Sequence, residues 1–267
     1  MKSLIKNRAE ALALCLLPSV AQRIKNGQPT KTFLERLVRS GMTRKAAKDG
    51  EWDMLRSQLA AYWRGGEGDE FYEAYPNRFD EWFLGAHYCV VEQLRTLCDQ
   101  YPDTLTELYE IGCGDGKVLM HMNERFPEFH RLVGIDINSK VIERNRSTHK
   151  DPKVDFTDDA ALDWLSENGR SGSVLMTYGG VLEYFTQCEV ETIFRKVASL
   201  SPAAIVLVEP VNFNYDLNKE SDSRPYGDEH SFSHNHRVLL QRCGFELAHQ
   251  SECRLDHRWQ MLVAMIH

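Results

Sequence analysis

The sequence lacks the cysteine pattern of a disulfide-stabilised or zinc-binding protein. Its seven cysteines are an odd number, and no two of them form a C-x-x-C pair. Disulfide-rich secreted domains have even numbers of cysteines at regular spacings, and zinc sites have closely paired ones. We therefore expect reduced thiols and no bound metal.

A membrane-spanning segment is also missing, because no apolar run approaches the roughly 20 residues that a helix needs to cross a bilayer. The first residues have a basic start and an apolar stretch, as a signal peptide does. However, Glu10 interrupts that stretch, and apolar residues recur at helical spacing as far as Val20. We expect an amphipathic helix here and a cytoplasmic location.

The overall charge does not favour nucleic-acid binding. The chain has a formal net charge of −7 and an isoelectric point near 5.8, whereas nucleic-acid-binding domains are strongly basic. Residues 1–49 carry eleven Lys and Arg against three acids, a net charge of +8, which leaves −15 for the rest. Such an arm can dock on an acidic core or a second subunit, or it can attract an acidic partner. We prefer the interpretation in which the arm docks, and the N-terminal helices are then the candidate contact of a homo-oligomer.

Glycine is concentrated in one short segment, residues 110–116, which read Glu-Ile-Gly-Cys-Gly-Asp-Gly. The apolar residues before it predict a buried strand, and the pattern after it predicts a helix. Glycine allows a sharp turn and the close approach of a ligand to the backbone. A dinucleotide-binding motif would need a small residue in place of Lys117, and no P-loop motif occurs. The segment therefore predicts another kind of nucleoside-cofactor site.

An acid lies twenty residues beyond this turn. Residues 131–136 predict a strand ending in Asp136, from which a carboxylate can accept hydrogen bonds from both ribose hydroxyls. Asn138 then predicts a helix start. Further apolar runs predict strands at 153–156, 174–178, 204–209, 244–249 and 259–266.

The segment 110–116 resembles motif I of the class I S-adenosylmethionine-dependent methyltransferases, and the later elements follow that family's order. The resemblance covers roughly residues 79–267. It implies S-adenosylmethionine as cofactor and an α/β, Rossmann-like fold with a seven-stranded, mostly parallel sheet, preceded by a helical arm and lid over residues 1–78. The implied cofactor contacts are Glu110, Gly112, Cys113, Gly114, Gly116, Asp136, Ile137, Asp158, Asp159, Ala160 and Tyr178.

The helices before motif I are expected to cover the site, as they do in small-molecule members of the resembled family. A helix that begins after Thr32 is predicted to end at Gly41. Aromatic residues near the glycine pair at 65–66 are predicted to contact the acceptor, namely Trp63, Tyr72 and Tyr75.

The insertion between the fifth and sixth strands, residues 211–242, is predicted to lie over the active site, since long loops at this end of a sheet often carry function. Predicted acceptor contacts in it are Asn212, Tyr215, Arg224 and His236. Its three histidines match no standard metal-site spacing. Because histidine titrates near neutral pH, one of them is predicted to be a general base. His234 is the first candidate, His230 the second, and Tyr184, where the resembled family often has histidine, the third.

The resemblance and the histidines together predict a methyltransferase for a small polar or cyclic metabolite, such as a sugar or a natural-product intermediate. O-methylation with a histidine base is the preferred reaction. Two alternatives remain open: N-methylation of a small molecule, and a non-catalytic, cofactor-binding regulatory subunit.

Overall fold

The computed structural model describes residues 2–25, 30, 32–64, 75, 77–227, 229–255 and 257–267. Within these residues, six helices precede the first strand: α1 (Lys2–Leu16), α2 (Pro18–Lys25), α3 (Phe33–Asp49), α4 (Trp52–Arg64), the π-helical α5 (Phe79–Ala86) and α6 (Cys89–Gln100). The described α-helices after it are α7 (Lys117–Arg125), α8 (Ser139–Thr148), α9 (Ala161–Asn168), α10 (Gln187–Ala198) and α11 (His236–Arg242), and a 3₁₀ turn spans Leu182–Tyr184.

The nine strands of the described chain form two sheets. The strands are β1 (Glu107–Ile111), β2 (Arg131–Ile135), β3 (Val154–Thr157), β4 (Ser173–Tyr178), β5 (Ala203–Val211), β6 (Arg224–Tyr226), β7 (Ser231–Ser233), β8 (Glu246–Arg254) and β9 (Arg258–Ile266). Seven of them form a sheet in the order β3-β2-β1-β4-β5-β9-β8, and β6 pairs with β7. In the large sheet β9 runs antiparallel to both of its neighbours, β5 and β8, whereas the other strand pairs are parallel. The predicted fold class is confirmed.

The register brings the carboxyl ends of three strands together. Ile111 lies opposite Ile135 in β2 and opposite Thr177 in β4. In a parallel sheet this edge is where the loops to the following helices begin, and ligands bind there. The site is therefore expected at the ends of β1, β2 and β4.

Helices cover both faces of the sheet, and the central strands β1, β4 and β5 are buried along their whole length. One apolar cluster packs α5, α6 and α7 against one face, and a second packs α9, α10 and α11 against the other. Burial on both faces explains why β4 and β5 have nearly continuous apolar runs in the sequence instead of alternation.

The N-terminal helices form a separate small core in which α1 packs on α3. Glu10, which interrupts the apolar stretch of α1, is 2% exposed. Its carboxylate pairs with Arg44 at 2.6 Å and accepts a hydrogen bond from Ser40 at 2.8 Å. Removing one partner of such a buried pair is strongly destabilising, so these contacts hold the arm together. No described helix is long and apolar enough to cross a membrane.

The prediction that the helix after Thr32 ends at Gly41 is wrong, although the cap at its start is present. Thr32 and Glu35 form the capping box. Gly41 lies inside α3, where a Cβ atom would come within 2.9 Å of the Glu10 carbonyl oxygen. The helix ends instead at Gly50, whose φ is 72°. Gly41 is therefore required by close helix packing and not by a turn.

Candidate active site

A cleft opens at the edge of the sheet where β1, β2 and β4 end. Its empty volume, counted out to bulk solvent, is about 1070 Å³. The described residues that line it include eight for which the sequence predicted a site role: Trp63, Gly112, Asp136, Ile137, Asp159, Ala160, Tyr178 and Tyr184.

Asp136 is held in a fixed orientation at the end of β2. One carboxylate oxygen accepts the backbone N–H of Gly114 and the other accepts that of Asn138, both at 3.0 Å. Burial raises the pKa of this carboxyl group, and the two N–H donors oppose that rise. Because each oxygen accepts only one of these bonds, each keeps a lone pair for a further donor.

The glycine-rich loop comes very close to the loop that follows β4. Gly112 has a φ of 71°, and a Cβ atom there would lie 2.5 Å from Val181 Cγ2. A side chain at this position would force Val181 out of the cleft wall. Asn145 also supports the loop, because its amide donates to the Gly114 carbonyl oxygen at 2.6 Å.

Five predicted cofactor residues do not reach the described lining: Glu110, Cys113, Gly114, Gly116 and Asp158. Glu110 and Cys113 are buried, and burial raises the pKa of both side chains well above their ordinary values. For Glu110, Asp115 adds to the rise and Arg78 opposes it. Glu110 Oε2 has no hydrogen-bond partner among the described residues.

Helix α4 covers the cleft with one face, formed by Arg56, Ala60, Trp63 and Arg64. The spacing of these residues is helical, so the sequence could show that they share a face, but not that the face covers a site. Arg56 Nε lies 3.3 Å from Glu189 Oε1, and its guanidinium group lies 4.2 Å from the Phe185 ring centroid. Further lining residues that the sequence did not predict include Arg78, Asp163, Phe185 and Glu189.

Tyr184 forms one wall of the cleft and packs against Trp63, with ring centroids 5.3 Å apart. Its hydroxyl donates to Glu229 at 3.4 Å. Burial, followed by the nearby Glu183 and Glu229, raises the pKa of Tyr184 well above its ordinary value. The phenol is therefore neutral near pH 7 and can donate a hydrogen bond but not act as a base.

His234, the first candidate base, does not line the described cleft. Its side chain is fully buried. Its Nε2 donates to the Leu182 carbonyl oxygen at 3.0 Å, which leaves Nδ1 to accept from the Ser223 hydroxyl at 2.6 Å. Burial lowers the pKa of His234 to about 4. Both nitrogens are committed, so the structure argues against His234 as the base.

The other predicted residues of the insertion are absent from the described lining, and four of them bond within the insertion or lie in the core. Tyr215 is buried and donates to the Asp222 carbonyl oxygen at 3.0 Å. Arg224 pairs with Glu220 at 2.8 Å. The remaining ones are Asn212, which binds Asn214 and Ser233; His230, with a φ of 57°; and His236, buried beside Phe194. The polar groups of the insertion satisfy one another when the loop folds, so these side chains are not available to bind a ligand in the cleft.

Two predicted lid residues also differ from expectation. Tyr72 lies outside the described residues. Tyr75 is half-exposed and packs against Trp82, with ring centroids 5.9 Å apart, and it does not line the described cleft. Of the three aromatic residues predicted to contact the acceptor, Trp63 is the one that lines the cleft in the described part of the chain.

Glu209, at the end of β5, holds the cleft wall in place. It is fully buried and accepts hydrogen bonds from the Thr177 hydroxyl at 2.6 Å and from the backbone N–H groups of Val181 and Leu182 at 3.0 Å. Burial raises its pKa to about 8, although these donors oppose the rise. The residue fixes the loop against which Gly112 packs.

Glu183 lies next to the cleft at Gly180. A Cβ atom on Gly180 would come within 2.5 Å of Glu183 Oε1. The other oxygen accepts hydrogen bonds from Tyr226 at 2.6 Å and Ser231 at 2.7 Å. Burial raises the pKa of Glu183 to about 7. The chain thus holds a carboxyl group that titrates near neutral pH beside the cleft.

The chain is similar to known methyltransferases in sequence. Residues 108–201 match a family model described as a methyltransferase domain, which covers β1 to β4 and the loops that line the cleft. The chain is also 30% identical over 112 residues to an N-demethylindolmycin N-methyltransferase of Streptomyces griseus. That match covers 40% of this chain, and the chain spans 44% of the length of this curated relative.

The fold is similar to that of magnesium protoporphyrin IX methyltransferase from Synechocystis PCC 6803. Its structure with bound SAH has a TM-score of 0.56 and 15% identity, over 79% of this chain and 99% of that one. Its structure with bound SAM has a TM-score of 0.55 and 14% identity, over 79% and 97%. At these identities the likeness shows a shared fold.

Proposed function

We propose that this chain is a class I S-adenosylmethionine-dependent methyltransferase that binds S-adenosylmethionine in the cleft and methylates a small molecule, in keeping with its similarity to known methyltransferases. The observation that carries the proposal is the Asp136 carboxylate, which two backbone N–H groups hold at the cleft with a lone pair left on each oxygen. That arrangement suits the two adjacent hydroxyls of a ribose.

Other lining residues fit the remaining parts of the cofactor. Ile137 and Ala160 offer apolar contact for the adenine ring, and Asp159 beside them can accept a hydrogen bond from its amino group. Arg78, near Gly179, can pair with the methionine carboxylate. When bound, the cofactor supplies an electrophilic methyl group on a sulfonium.

The acceptor is proposed to enter beneath α4, where Trp63 and Tyr184 present ring faces and edges. The chain's contribution there is to orient the acceptor for an in-line displacement and to exclude water. Holding two reactants in line supplies much of the rate enhancement of such a step. A small acceptor with an apolar or cyclic part suits these two aromatic side chains.

N-methylation is the first candidate reaction. The described lining contains no histidine, and Tyr184 is held neutral. A neutral amine attacks with its own lone pair and loses its proton after the transfer, so it needs no base beforehand. The similarity to an N-methyltransferase over 112 residues supports this choice.

O-methylation is the second candidate, and Glu183 is the observation that favours it. A hydroxyl acceptor must lose a proton, and a base with a pKa near 7 suits that task at neutral pH. Glu183, with its pKa of about 7 beside Gly180, takes the role that the sequence assigned to His234.

Calorimetric titration of the whole protein with S-adenosylhomocysteine tests the proposal. We expect one binding site per chain, with no comparable binding of NAD. Transfer of a labelled methyl group to a panel of small amines and alcohols then identifies the acceptor atom. A protein that ignores S-adenosylhomocysteine, or that prefers NAD, contradicts the proposal.

A further inference from the structure

A second cavity lies on the other side of Tyr184, between α3, α4 and the insertion. Its empty volume, counted out to bulk solvent, is about 560 Å³. Its polar lining includes Arg36 and Arg39 from α3, Gln58 from α4, and Glu229 from the insertion. Tyr184 lines both this cavity and the cleft, so its side chain is a wall shared by the two.

Gln58 places a buried amide in this cavity. The side chain is 7% exposed, and its Oε1 faces the Thr43 hydroxyl at 3.1 Å. In that orientation Nε2 is buried without a hydrogen-bond partner among the described residues. Leaving a buried donor unsatisfied costs about 1–3 kcal/mol. Such groups are rare in folded proteins and commonly mark the position of a bound water or ligand.

The charges of the lining favour an anion. Arg36, Arg39 and Glu229 are the charged residues of the described lining, and their formal charges sum to +1. The Arg39 guanidinium lies 5.2 Å from the Tyr62 ring centroid. The carboxylate of Glu229 accepts a hydrogen bond from Tyr184. Guanidinium groups bind carboxylates and phosphates through paired hydrogen bonds, and an amide N–H can add a third.

We propose that this cavity binds the carboxylate or phosphate group of the methyl acceptor, whose reacting atom lies beyond Tyr184 in the cleft. The assignment rests on the proposed function. It narrows the acceptor to a molecule with an amine or hydroxyl at one end and an anionic group at the other. Such a molecule would have to pass beside the Tyr184 side chain, which lines both spaces and packs against Trp63.

Calorimetry on the full chain without cofactor tests the anion site with two simple probes, inorganic phosphate and acetate, at constant ionic strength. We expect at least one probe to bind, and the probe with the higher affinity shows whether the natural anionic group is a phosphate or a carboxylate. Gln58→Glu adds a negative charge inside the cavity and should weaken that binding at least 10-fold. Gln241→Glu, which adds the same charge at an exposed position of α11, is the matched control and should bind as the wild type does.

A second pair of variants covers the case in which Gln58→Glu fails to fold. Because Arg36 is exposed, the variant Arg36→Gln should fold normally. It should still weaken binding of the probe about 5- to 10-fold, as expected for the loss of one charged hydrogen-bond donor. Arg254→Gln, an exposed change on β8, should have no effect. Equal probe binding by the wild type, Gln58→Glu and Arg36→Gln contradicts the proposal, as does the absence of binding by both probes.

Two further measurements separate this proposal from the proposed function. Binding of methylammonium to the wild type that is tighter than binding of phosphate and of acetate would instead identify a cation site and overturn the assignment. S-adenosylhomocysteine affinity should stay within about 2-fold in both cavity variants, because neither residue lines the cleft. Phosphate binding in a protein that does not bind S-adenosylhomocysteine overturns the methyltransferase proposal alone.

Discussion

His234 donates a hydrogen bond from Nε2 to the carbonyl oxygen of Leu182. The N–H of the same Leu182 donates to Glu209 on the other side. The loop after β4 is thereby fixed from two elements, the insertion and β5, before any ligand contacts it. Four predictions concern this loop, the ribose-facing acid and the buried titrating groups.

Replacement of His234 should lower stability and leave the pH profile of the reaction unchanged near neutrality. His234→Gln removes contacts to the Leu182 carbonyl and the Ser223 hydroxyl, and we expect a loss of about 1–3 kcal/mol in the free energy of unfolding, typical of unsatisfied buried groups. Urea denaturation measures the loss. His130→Gln, at a side chain that is 63% exposed, is the control. If the pH dependence of turnover in His234→Gln lost its rising limb near neutrality, His234 would again be the candidate general base.

Replacement of Asp136 should weaken cofactor binding. Asp136→Ala removes the acceptor for the ribose hydroxyls, and we expect S-adenosylhomocysteine affinity to fall by about 1.5–3 kcal/mol, or roughly 10- to 150-fold. Calorimetry measures the affinity. Asp99→Ala removes the same charge from an exposed position on α6 and should leave the affinity unchanged. An affinity in Asp136→Ala equal to that of the wild type argues against the ribose assignment.

Gly112→Ala should damage the cleft because of crowding as well as backbone strain. The added methyl group would meet Val181 at 2.5 Å. Gly227→Ala separates the two effects, since Gly227 also has a positive φ, 66°, but no atom lies within 4 Å of its Cβ position. We expect Gly112→Ala to lower S-adenosylhomocysteine affinity at least 10-fold and Gly227→Ala to leave it unchanged. Similar affinity in the two variants would remove crowding as the cause.

The free energy of unfolding should decline as the pH rises above about 6.5. In that range the buried carboxyl groups are protonated in the folded protein and lose their protons on unfolding, so a rise in pH favours the unfolded state. The folded-state pKa of Glu209 is raised to about 8 from an ordinary value of 4.5, and that of Glu183 to about 7. Their contributions are complete below pH 4.5 and are lost as the pH rises through these values. His234, with its pKa lowered from 6.5 to about 4, contributes stability above pH 6.5 that is lost as the pH falls.

Melting temperatures between pH 4 and pH 9 measure this balance. The histidine and carboxyl contributions oppose each other between about pH 4.5 and 6.5, so the decline should be clear only above that range. Glu183→Gln removes one titrating carboxyl group and should flatten the decline near pH 7. The same decline in Glu183→Gln and the wild type would show that Glu183 is not buried in its neutral form.

Local sequence patterns were enough to predict the sheet and the position of Asp136 at the end of β2, because strand burial, the glycine turn and the acid at the strand end are properties of neighbouring residues. Predictions from local patterns were wrong where a contact joins distant parts of the chain. Gly41 has the composition of a helix end but packs against Glu10, 31 positions away. His234 has the side chain of a base but is buried against Leu182. Arg56 and Arg78 gave no signal, since only the folded chain brings them to the cleft.

The bonds from Glu209 to the loop after β4 have a consequence for synthesis of the chain. Residue 209 emerges from the ribosome long after α4, the glycine-rich loop and Asp136 have done so. Strands β1 to β4 can pair in a nascent chain, but the wall that Val181 forms has no anchor until β5 is added. During translation, which adds about 5–20 residues per second, ligand capture therefore has to wait until β5 has been made.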